Sequence, residues 1–350
     1  MSHQSRFRQM IFARCCQEPG HVALPESSDP RVIQATEELL ASGAAQSVTL
    51  LTAPETLKAA GQKLGIDLFR WGQRLRLLNP NDQELQNATA RHMMARAEAR
   101  GKSLPEDQVQ GWARSPLDQA AYLLGSKQVD GVVAGCVETT AAVIRAALRG
   151  VGMAPGVRTI SGSFVMVREE ADSDRVYLYG DCGVVIDPDP DQLADIASAT
   201  VQTFRAVQTD RSPVLAFLSF STKGSAQHPM ADKVVRALEI FRQRHPEIEA
   251  DGELQFDAAF DATIGSRKAP GSLVPGRANC FIFPNLDAGN IAYKITQRLA
   301  GFDAYGPLLQ GTAQPYMDLS RGAAPGDISM SACIAMLRAR SLSSWNGSTF

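Results

Sequence analysis

The chain has 350 residues, of which 44% are hydrophobic and 21% charged, enough apolar material for one large or two ordinary domains. Its 35 basic and 37 acidic residues leave a formal net charge of −2. Proteins that bind a nucleic-acid backbone usually carry a basic excess, so we expect no nucleic-acid partner. The balance leaves room for local arginine clusters that hold a small anion.

The N-terminal segment MSHQSRFRQMIFARCCQEPG is basic but lacks the apolar core that a secretory signal requires. Apolar runs elsewhere are far shorter than the roughly 20 residues that cross a bilayer. The six cysteines include no CxxC pair, and the five histidines show no HxH or HxxxH spacing. We therefore expect a cytoplasmic protein with no membrane partner and no metal site.

From the N-terminus to residue 150, strand-like and helix-like segments alternate. The strand-like segments are HVALPE at 21–26, SVTLL at 47–51 and DGVVAG at 130–135. The predicted helices cover residues 29–40, 54–65, 82–100, 116–125 and 138–150. An Asp-Pro start at Asp29 and a closing glycine at Gly150 support the first and last of these helices.

A change of rhythm near residue 157 indicates a second unit. Two adjacent strands, SGSFVMV at 161–167 and DRVYLYG at 174–180, are separated by an acidic turn and predict a hairpin. Further strand-like segments lie at 184–187, 214–220, 254–260 and 279–284, and further helices at 191–208, 229–244, 288–300 and about 327–340. This alternation predicts an α/β fold with mostly parallel sheets, helices on both faces and ligands at the carboxyl ends of the strands.

The loop MDLSRGAAPGDI at 317–328 is the most informative segment. Ser320 and Arg321 precede a Gly-Ala-Ala-Pro-Gly turn, and Asp327 opens the following helix. A hydroxyl, a guanidinium and a carboxylate beside a helix N-terminus can bind a phosphate, donate to a developing oxyanion and remove a proton. The alternative is that Asp327 only caps the helix.

Two further segments carry groups that suit an anion. LSFSTKGSA places Ser221, Thr222 and Lys223 on a loop between a strand and a helix, although no P-loop motif is present. TTAAVIRAALRG places Arg145 on a helix with apolar neighbours. The alternative for the first is an ordinary capped turn. For Arg145 the alternatives are that its apolar stem lies along the surface with the charged end in water, or that it pairs with a carboxylate. The acidic run DPDPDQ at 187–192 is interpreted as a turn and helix start rather than a metal site.

Four sequence blocks follow one another from about residue 115 to 340. They are DGVVAGCVETTAAVIRAAL with APGVRTISGSFVM, then SFSTKGSA, then PGRANCFIFPNLDAGNIAYKITQRLAG, and finally GPLLQGTAQPYMDLSRG. In this order and at these separations they resemble the phosphate acetyltransferase (phosphotransacetylase) family. In the N-terminal hundred residues, only LPESSDPRVIQA is similar to the family's beginning.

The resemblance implies two αβα domains with mostly parallel sheets and an interdomain cleft, an architecture like that of isocitrate and isopropylmalate dehydrogenases. It assigns residues 1–157 plus 310–350 to a first domain, which carries the catalytic loop, and the inserted residues 158–309 to a second. It also implies a homodimer. The implied reaction transfers an acetyl group reversibly between acetyl-CoA and inorganic phosphate, giving acetyl phosphate and coenzyme A. Coenzyme A is then a substrate, and no cofactor is expected.

The resemblance also implies roles for the residues of the DLSRG loop. Ser320 matches the family's catalytic serine, Arg321 its phosphate-binding arginine and Asp327 its proposed general base. In the reverse direction Asp327 would deprotonate the thiol of coenzyme A, and the thiolate would attack the acetyl carbonyl directly in a ternary complex. The family usually has a cysteine and an acidic turn where this chain reads Ala323-Ala324-Pro325.

Other arginines are implied to bind the substrates. Arg145 matches a further functional arginine of the family. An arginine implicated in coenzyme A binding lies in RHMMARAEARGK, where Arg96 and Arg100 are both candidates. The loop with Ser221, Thr222 and Lys223 is expected to contribute to phosphate or coenzyme A binding.

Three rival interpretations stay open. The first is a phosphate butyryltransferase or propionyltransferase, because the acyl pocket cannot be derived from the sequence. The second is a non-catalytic regulatory module like the similar domains appended to malic enzymes. The third is a nicotinamide-dependent decarboxylating dehydrogenase of similar architecture, against which the absence of GxGxxG argues.

Overall fold

A computed structural model describes residues 5–345, with side chains described up to residue 342. The described chain divides into two compact units. The first comprises the residues up to Ala154 and those from Thr312 onwards, and the second comprises Pro155–Gly311. The fold is α/β in both units.

Eleven strands and thirteen α-helices alternate along the described chain. The strands are β1 (Gly20–Leu24), β2 (Ala45–Leu51), β3 (Leu75–Leu78), β4 (Gly131–Ala134), β5 (Ser161–Arg168), β6 (Arg175–Gly180), β7 (Val214–Leu218), β8 (Glu249–Leu254), β9 (Cys280–Ile282), β10 (Asp303–Gln310) and β11 (Tyr316–Asp318). The helices are α1 (Arg6–Gln17), α2 (Pro30–Ser42), α3 (Pro54–Leu64), α4 (Gln83–Glu98), α5 (Glu106–Ala113), α6 (Pro116–Gly125), α7 (Thr140–Gly150), α8 (Pro190–Val207), α9 (Pro229–Arg244), α10 (Phe256–Phe260), α11 (Ala262–Lys268), α12 (Leu286–Leu299) and α13 (Pro325–Trp345). A 3-10 helix spans Leu68–Arg74.

The sheet of the first unit is fully parallel, in the order β11-β4-β1-β2-β3. From β1 the chain builds outward to β3 and then returns to place β4 and β11 on the other side of β1. The strand order therefore reverses between β1 and β4, and α/β proteins bind ligands at the carboxyl edge of such a reversal. At this edge, the loops after β1, β4 and β11 begin at Pro25, Gly135 and Leu319.

Local sequence explains how these strands and loops form. β4 reads GVVA and is buried along its whole length, as expected for a central parallel strand. Gly135, which follows it, has φ +101°, and a side chain there would lie 2.7 Å from the backbone nitrogen of Leu319. Glycine therefore lets the loops after β4 and β11 approach closely. α7 then starts at Thr139, whose side chain accepts a hydrogen bond from the N–H of Ala142.

The sheet of the second unit is mixed, in the order β10-β5-β6-β9-β7-β8. β5 pairs antiparallel with β6, so the predicted hairpin is confirmed, and β10 pairs antiparallel with β5. β6, β9, β7 and β8 are parallel. Aromatic side chains fill much of the core, including a stacked pair of Phe164 and Tyr293 with ring centroids 4.0 Å apart.

Two predicted strands of the second unit are wrong. Residues 254–260 are mostly the short helix α10, and the strand lies just before it, as β8. Residues 184–187 form no strand, because the N–H groups of Val184 and Val185 donate to the carboxylate of Asp181 instead of to a neighbouring strand. The acidic run at 187–192 contains the N-cap of α8, Asp189, which forms a capping box with Gln192.

Within residues 5–345, no helix is long and apolar enough to cross a membrane. The six cysteines are free thiols, and all except Cys16 are buried.

Candidate active site

The turn that joins β11 to α13 presents Ser320 and Arg321 to solvent. The N–H of Ala323 donates to the carbonyl oxygen of Ser320 at 2.9 Å, and the N–H of Gly322 donates to Ser320 Oγ at 3.3 Å. Because Ser320 Oγ only accepts in these contacts, its O–H is left to donate to a substrate oxygen. The Arg321 side chain makes no ion pair with the described residues.

Asp327 lies in the first turn of α13. Its Oδ2 accepts a hydrogen bond from the N–H of Ala324 at 2.9 Å, and its own N–H donates to the carbonyl oxygen of Ala324 at 3.0 Å. The carboxylate therefore closes the start of the helix, as the capping alternative predicts. Its Oδ1 has no hydrogen-bond partner among the described residues, and the side chain is exposed. Capping thus uses one of its two oxygens.

Arg145 is exposed on α7, the helix that follows β4. The same helix carries Arg149, which pairs with Asp118 through two hydrogen bonds of 2.7 Å. Within the described part of the chain Arg145 has no such carboxylate. Pairing with a carboxylate, one of the two alternatives drawn from the sequence, therefore describes Arg149 and not Arg145. The other alternative, a charged end that stays in water, agrees with the exposure of Arg145.

Asp318, the last residue of β11, connects that strand to the start of α7. Its Oδ2 accepts a hydrogen bond from Thr140 Oγ1 at 2.7 Å, while its Oδ1 is buried and has no partner among the described residues. Burial, and to a smaller extent the charge of Glu26, raises the pKa of Asp318 from 3.8 to about 6. The sequence analysis did not identify this residue, because the three-residue strand that it ends was not predicted.

Glu26 joins the ends of β1 and β4. Its carboxylate accepts hydrogen bonds from the N–H groups of Cys136, Val137 and Glu138 at 2.9, 2.9 and 2.7 Å. The Cys136 thiol lies 2.9 Å from Glu26 Oε2. Burial and the hydrogen bond to Glu26 raise the pKa of this thiol, so Cys136 stays protonated and is not a nucleophile.

Arg96 and Arg100 lie together beside the C-terminal end of α7. Arg96 donates to the carbonyl oxygen of Val151, and a side chain placed at Gly152 would meet both guanidinium groups. Burial, together with the charge of Arg100, lowers the pKa of Arg96. Arg96 Nε is buried without a hydrogen-bond partner, and neither arginine pairs with an acid among residues 5–342. Two adjacent cations without an acid suit a bound anion.

Ser221, Thr222 and Lys223 follow β7 in the second unit, and their side chains contact β8 and Gln255. Ser221 Oγ donates to a carboxylate oxygen of Glu253 at 2.8 Å, and Lys223 Nζ lies 2.5 Å from Asp251. Thr222 Oγ1 is 3.4 Å from Gln255 Oε1 and accepts the Gln255 N–H. These contacts hold the loop on its own unit, and its role in substrate binding stays a prediction.

The first unit thus defines an α/β protein with a candidate anion-binding site at the carboxyl edge of a parallel sheet. The model of a family described as phosphate acetyl/butaryl transferase matches residues 6–336. The chain belongs to this family.

Named relatives and a solved structure that are similar to this chain are also phosphate acetyltransferases or phosphotransacetylases. A phosphate acetyltransferase of Paracoccus denitrificans is 41% identical over 322 residues, which cover 91% of this chain and 95% of that protein. A phosphate acetyltransferase of Acetivibrio thermocellus is 36% identical over 336 residues, which cover 95% of this chain and 98% of that protein. A phosphotransacetylase structure from Streptococcus pyogenes superimposes with a TM-score of 0.87 at 36% identity, covering 97% of this chain and 99% of that one.

The raised pKa of Asp318 predicts a pH-dependent effect of replacing it by asparagine. Because the folded-state pKa, about 6, exceeds the ordinary 3.8, folding favours the protonated form. The stability that this group contributes is complete below pH 3.8 and is lost as the pH rises through 6. The neutral Asp318→Asn side chain avoids that loss, which amounts to at most about 3 kcal/mol. In thermal melting from pH 4 to 8, the melting temperature of the variant relative to that of the wild type should rise as the pH rises to about 6. A difference in melting temperature that stays constant with pH would contradict this.

Proposed function

We propose that this chain is a phosphate acetyltransferase, which moves an acetyl group reversibly between acetyl-CoA and inorganic phosphate. The observation that carries the proposal is the loop from β11 to α13 in a member of this family. It presents the Ser320 hydroxyl, the Arg321 guanidinium and the Asp327 carboxylate. Among the described residues, Arg321 has no ion-pair partner and Asp327 Oδ1 has no hydrogen-bond partner. The names of the relatives support the acetyl specificity.

The proposed chemistry is direct transfer. In the direction of acetyl-CoA synthesis, Asp327 takes the thiol proton, the thiolate forms a bond with the acetyl carbon, and the bond to the phosphate oxygen breaks. Arg321 and Arg145 stabilise the departing phosphate, and Ser320 donates to the carbonyl oxygen as it gains charge. Among the described residues, no histidine or carboxylate contacts Ser320 Oγ to activate it as a nucleophile. A covalent acyl-enzyme is therefore not part of the proposal.

A carboxylate is a weak base for a thiol, and we propose that two arginines compensate by making the thiol easier to deprotonate. The reference pKa values are about 3.9 for an aspartate and about 8.5 for a thiol, so proton transfer between them is uphill. Unpaired guanidinium groups near the thiol would lower the thiol pKa. We assign this effect to Arg145 and Arg321.

Arg96 and Arg100 are proposed to bind the phosphates of coenzyme A. They lie by Val151 and Gly152, just past the end of α7, whereas Thr140 at its start contacts Asp318. α7 has 11 residues and is therefore about 16 Å long. This separation suits a substrate that carries anionic groups at one end and a reactive thiol at the end of a long arm.

An assay of free thiol released from acetyl-CoA tests the proposal. The purified chain should release thiol only when phosphate or arsenate is present. Comparing acetyl-CoA, propionyl-CoA and butyryl-CoA decides among the acyl specificities. Failure to release thiol from any of them would favour a non-catalytic module and would end the enzyme proposal.

On the basis of the family resemblance we propose a homodimer that acts in the cytoplasm. Light scattering coupled to gel filtration measures the oligomeric state, and fractionation of the source cells measures the cellular location. A monomer at all concentrations would contradict the dimer.

Replacing Arg321 by glutamine should chiefly weaken binding of phosphate and acetyl phosphate. Glutamine removes the charge that pairs with the phosphate while keeping a polar side chain. Since removing a group that contacts a charge costs about 1.5–3 kcal/mol, the KM for phosphate should rise roughly 10- to 100-fold. Steady-state kinetics with each substrate varied in turn measures the change. The exposed Arg236 of α9, changed to glutamine, is the matched control; an unchanged phosphate KM for Arg321→Gln would contradict the role.

A further inference from the structure

All five N–H groups of one arginine, Arg31 at the start of α2, donate hydrogen bonds, two of them to the turn that follows Ser320. We propose that Arg31, oriented by Asp29, is a positioning residue of the active site. It fixes the backbone that carries Ser320 and Arg321 against the loop that follows β4. This inference rests on the proposed function for its kinetic consequences, while the geometry stands independently.

The guanidinium connects three chain segments. Its Nε and Nη2 donate to the two carboxylate oxygens of Asp29 at 2.9 and 2.8 Å. Nη2 also donates to the carbonyl oxygen of Cys136 at 2.7 Å. Nη1 donates to the carbonyl oxygens of Arg321 and Ala323 at 2.6 and 3.0 Å. An arginine has five N–H donors in a rigid planar arrangement, so the side chain is fully used and its orientation is fixed.

The local sequence explains why a cation is stable at this helix start. Asp29 is the N-cap of α2, and its Oδ1 accepts the N–H of Arg31 at 2.8 Å. Pro30 follows in the first helical position. The positive end of a helix repels a cation, and the Asp29 carboxylate offsets this repulsion. Hydrogen bonding between the two side chains lowers the pKa of Asp29 and raises that of Arg31, so the pair stays charged at neutral pH.

The carbonyl groups that Arg31 holds belong to the turn that presents the catalytic hydroxyl. The N–H of Ala323 closes this turn onto the carbonyl oxygen of Ser320. Holding the carbonyls of Arg321 and Ala323 fixes the 321–322 and 323–324 peptide planes, and so restrains the backbone of the turn that follows Ser320. Neither Arg321 nor Asp327 supplies a competing contact to these carbonyls. Arg31 therefore acts on the reaction through the turn and does not touch the substrate.

Lysine cannot replace this arginine. An ammonium has three donors and no planar fork, so it cannot satisfy a carboxylate and three carbonyls in different directions. Arg74 offers a matched control. It also donates to two backbone carbonyls, those of Ala45 and Gln46 at 2.9 and 3.3 Å, but these lie at the amino end of β2, away from the Ser320 turn.

The experiment compares Arg31→Lys with Arg74→Lys in the full chain. We expect Arg31→Lys to lower kcat ~10- to 100-fold, the scale of a small misplacement of catalytic groups, with the KM for coenzyme A changed less than about twofold. Hydrogen exchange of the amides in residues 319–326 should become faster in this variant. Arg74→Lys should leave both measurements as in the wild type. Asp29→Asn, which keeps a cap but removes the charge, is the second variant if Arg31→Lys does not fold.

Two further arms separate positioning from general destabilisation. Added guanidinium ion should partly restore the activity of Arg31→Ala but not that of Arg74→Ala. Arg31→Lys should also add little to the loss already caused by Ser320→Ala, because groups that act as one unit are not additive. Unchanged exchange in residues 319–326 together with normal kcat would overturn the inference. An inactive wild type would instead overturn the proposed function, and the exchange measurement would still test Arg31.

Discussion

Replacing Ser320 by alanine is expected to lower turnover at least ~100-fold in both directions, the scale of one lost oxyanion contact. The hydroxyl is exposed, and within the described structure it only accepts a hydrogen bond, from the N–H of Gly322 at 3.3 Å. Its donor proton is thus available for the carbonyl oxygen of the acyl group as that oxygen gains charge. Because no buried contact is lost, the melting temperature should stay close to that of the wild type. Steady-state kinetics of the folded variant measures the effect.

A matched serine controls for the substitution itself. Ser126 is also exposed, and its hydroxyl contacts only backbone carbonyls and a glutamine beyond the end of α6. Ser126→Ala should therefore turn over normally. If Ser320→Ala also turned over at nearly the wild-type rate, the oxyanion role would be wrong. A burst of product in the wild-type pre-steady state would argue for an acyl-enzyme on Ser320 and against direct transfer.

The elements that sequence patterns predicted well are those with strong local boundaries. α2 begins at the N-cap Asp29 and ends before Gly43 in the left-handed conformation, and both signals are visible in the sequence. α6 was predicted with the bounds that the structure gives, Pro116–Gly125, because its proline and glycine are equally visible. Short apolar runs, such as the GVVA of β4, correctly predicted buried parallel strands.

Two of the strands that were missed, β8 and β11, carry no such signal. β8 reads EADGEL, and two of its acids, Asp251 and Glu253, are buried. They are tolerated in a strand because Lys223 Nζ and Ser221 Oγ contact them. Such partners come from another segment, so no local rule predicts the strand. β11 has only three residues and forms where β4 offers it an edge to pair with.

In the candidate site, too, some residues can be recognised from local sequence and others are brought in by distant segments. Ser320 and Arg321 lie in one short motif, so their sequence suffices to suggest a site. The residues that organise this motif come from far along the chain: Arg31 contacts the carbonyl of Arg321 across 290 positions. Glu26 likewise reaches the backbone of Val137 across 111 positions. Only the parallel sheet, which gathers the ends of β1, β4 and β11 at one edge, brings these groups together.

Replacing Asp327 by asparagine is expected to reduce kcat at least ~100-fold, the usual scale for losing a general base. Asparagine keeps an oxygen that can accept the N–H of Ala324, so the first turn of α13 should stay closed. It lacks the basicity to take a proton from a thiol. Steady-state kinetics and thermal melting of the same samples measure both parts.

Asp327→Ala separates the two functions of this carboxylate. Alanine removes both the base and the cap, so it should combine the activity loss of Asp327→Asn with a stability loss of about 0.5–2 kcal/mol. If the carboxylate only capped the helix, Asp327→Asn would turn over normally and only Asp327→Ala would be affected, through stability. Oδ2 accepts the N–H of Ala324, and Oδ1 has no partner in the described structure. We therefore expect both variants to lose activity and only Asp327→Ala to lose stability as well. The helix start then holds the carboxylate in place, and its remaining oxygen is free to accept the thiol proton.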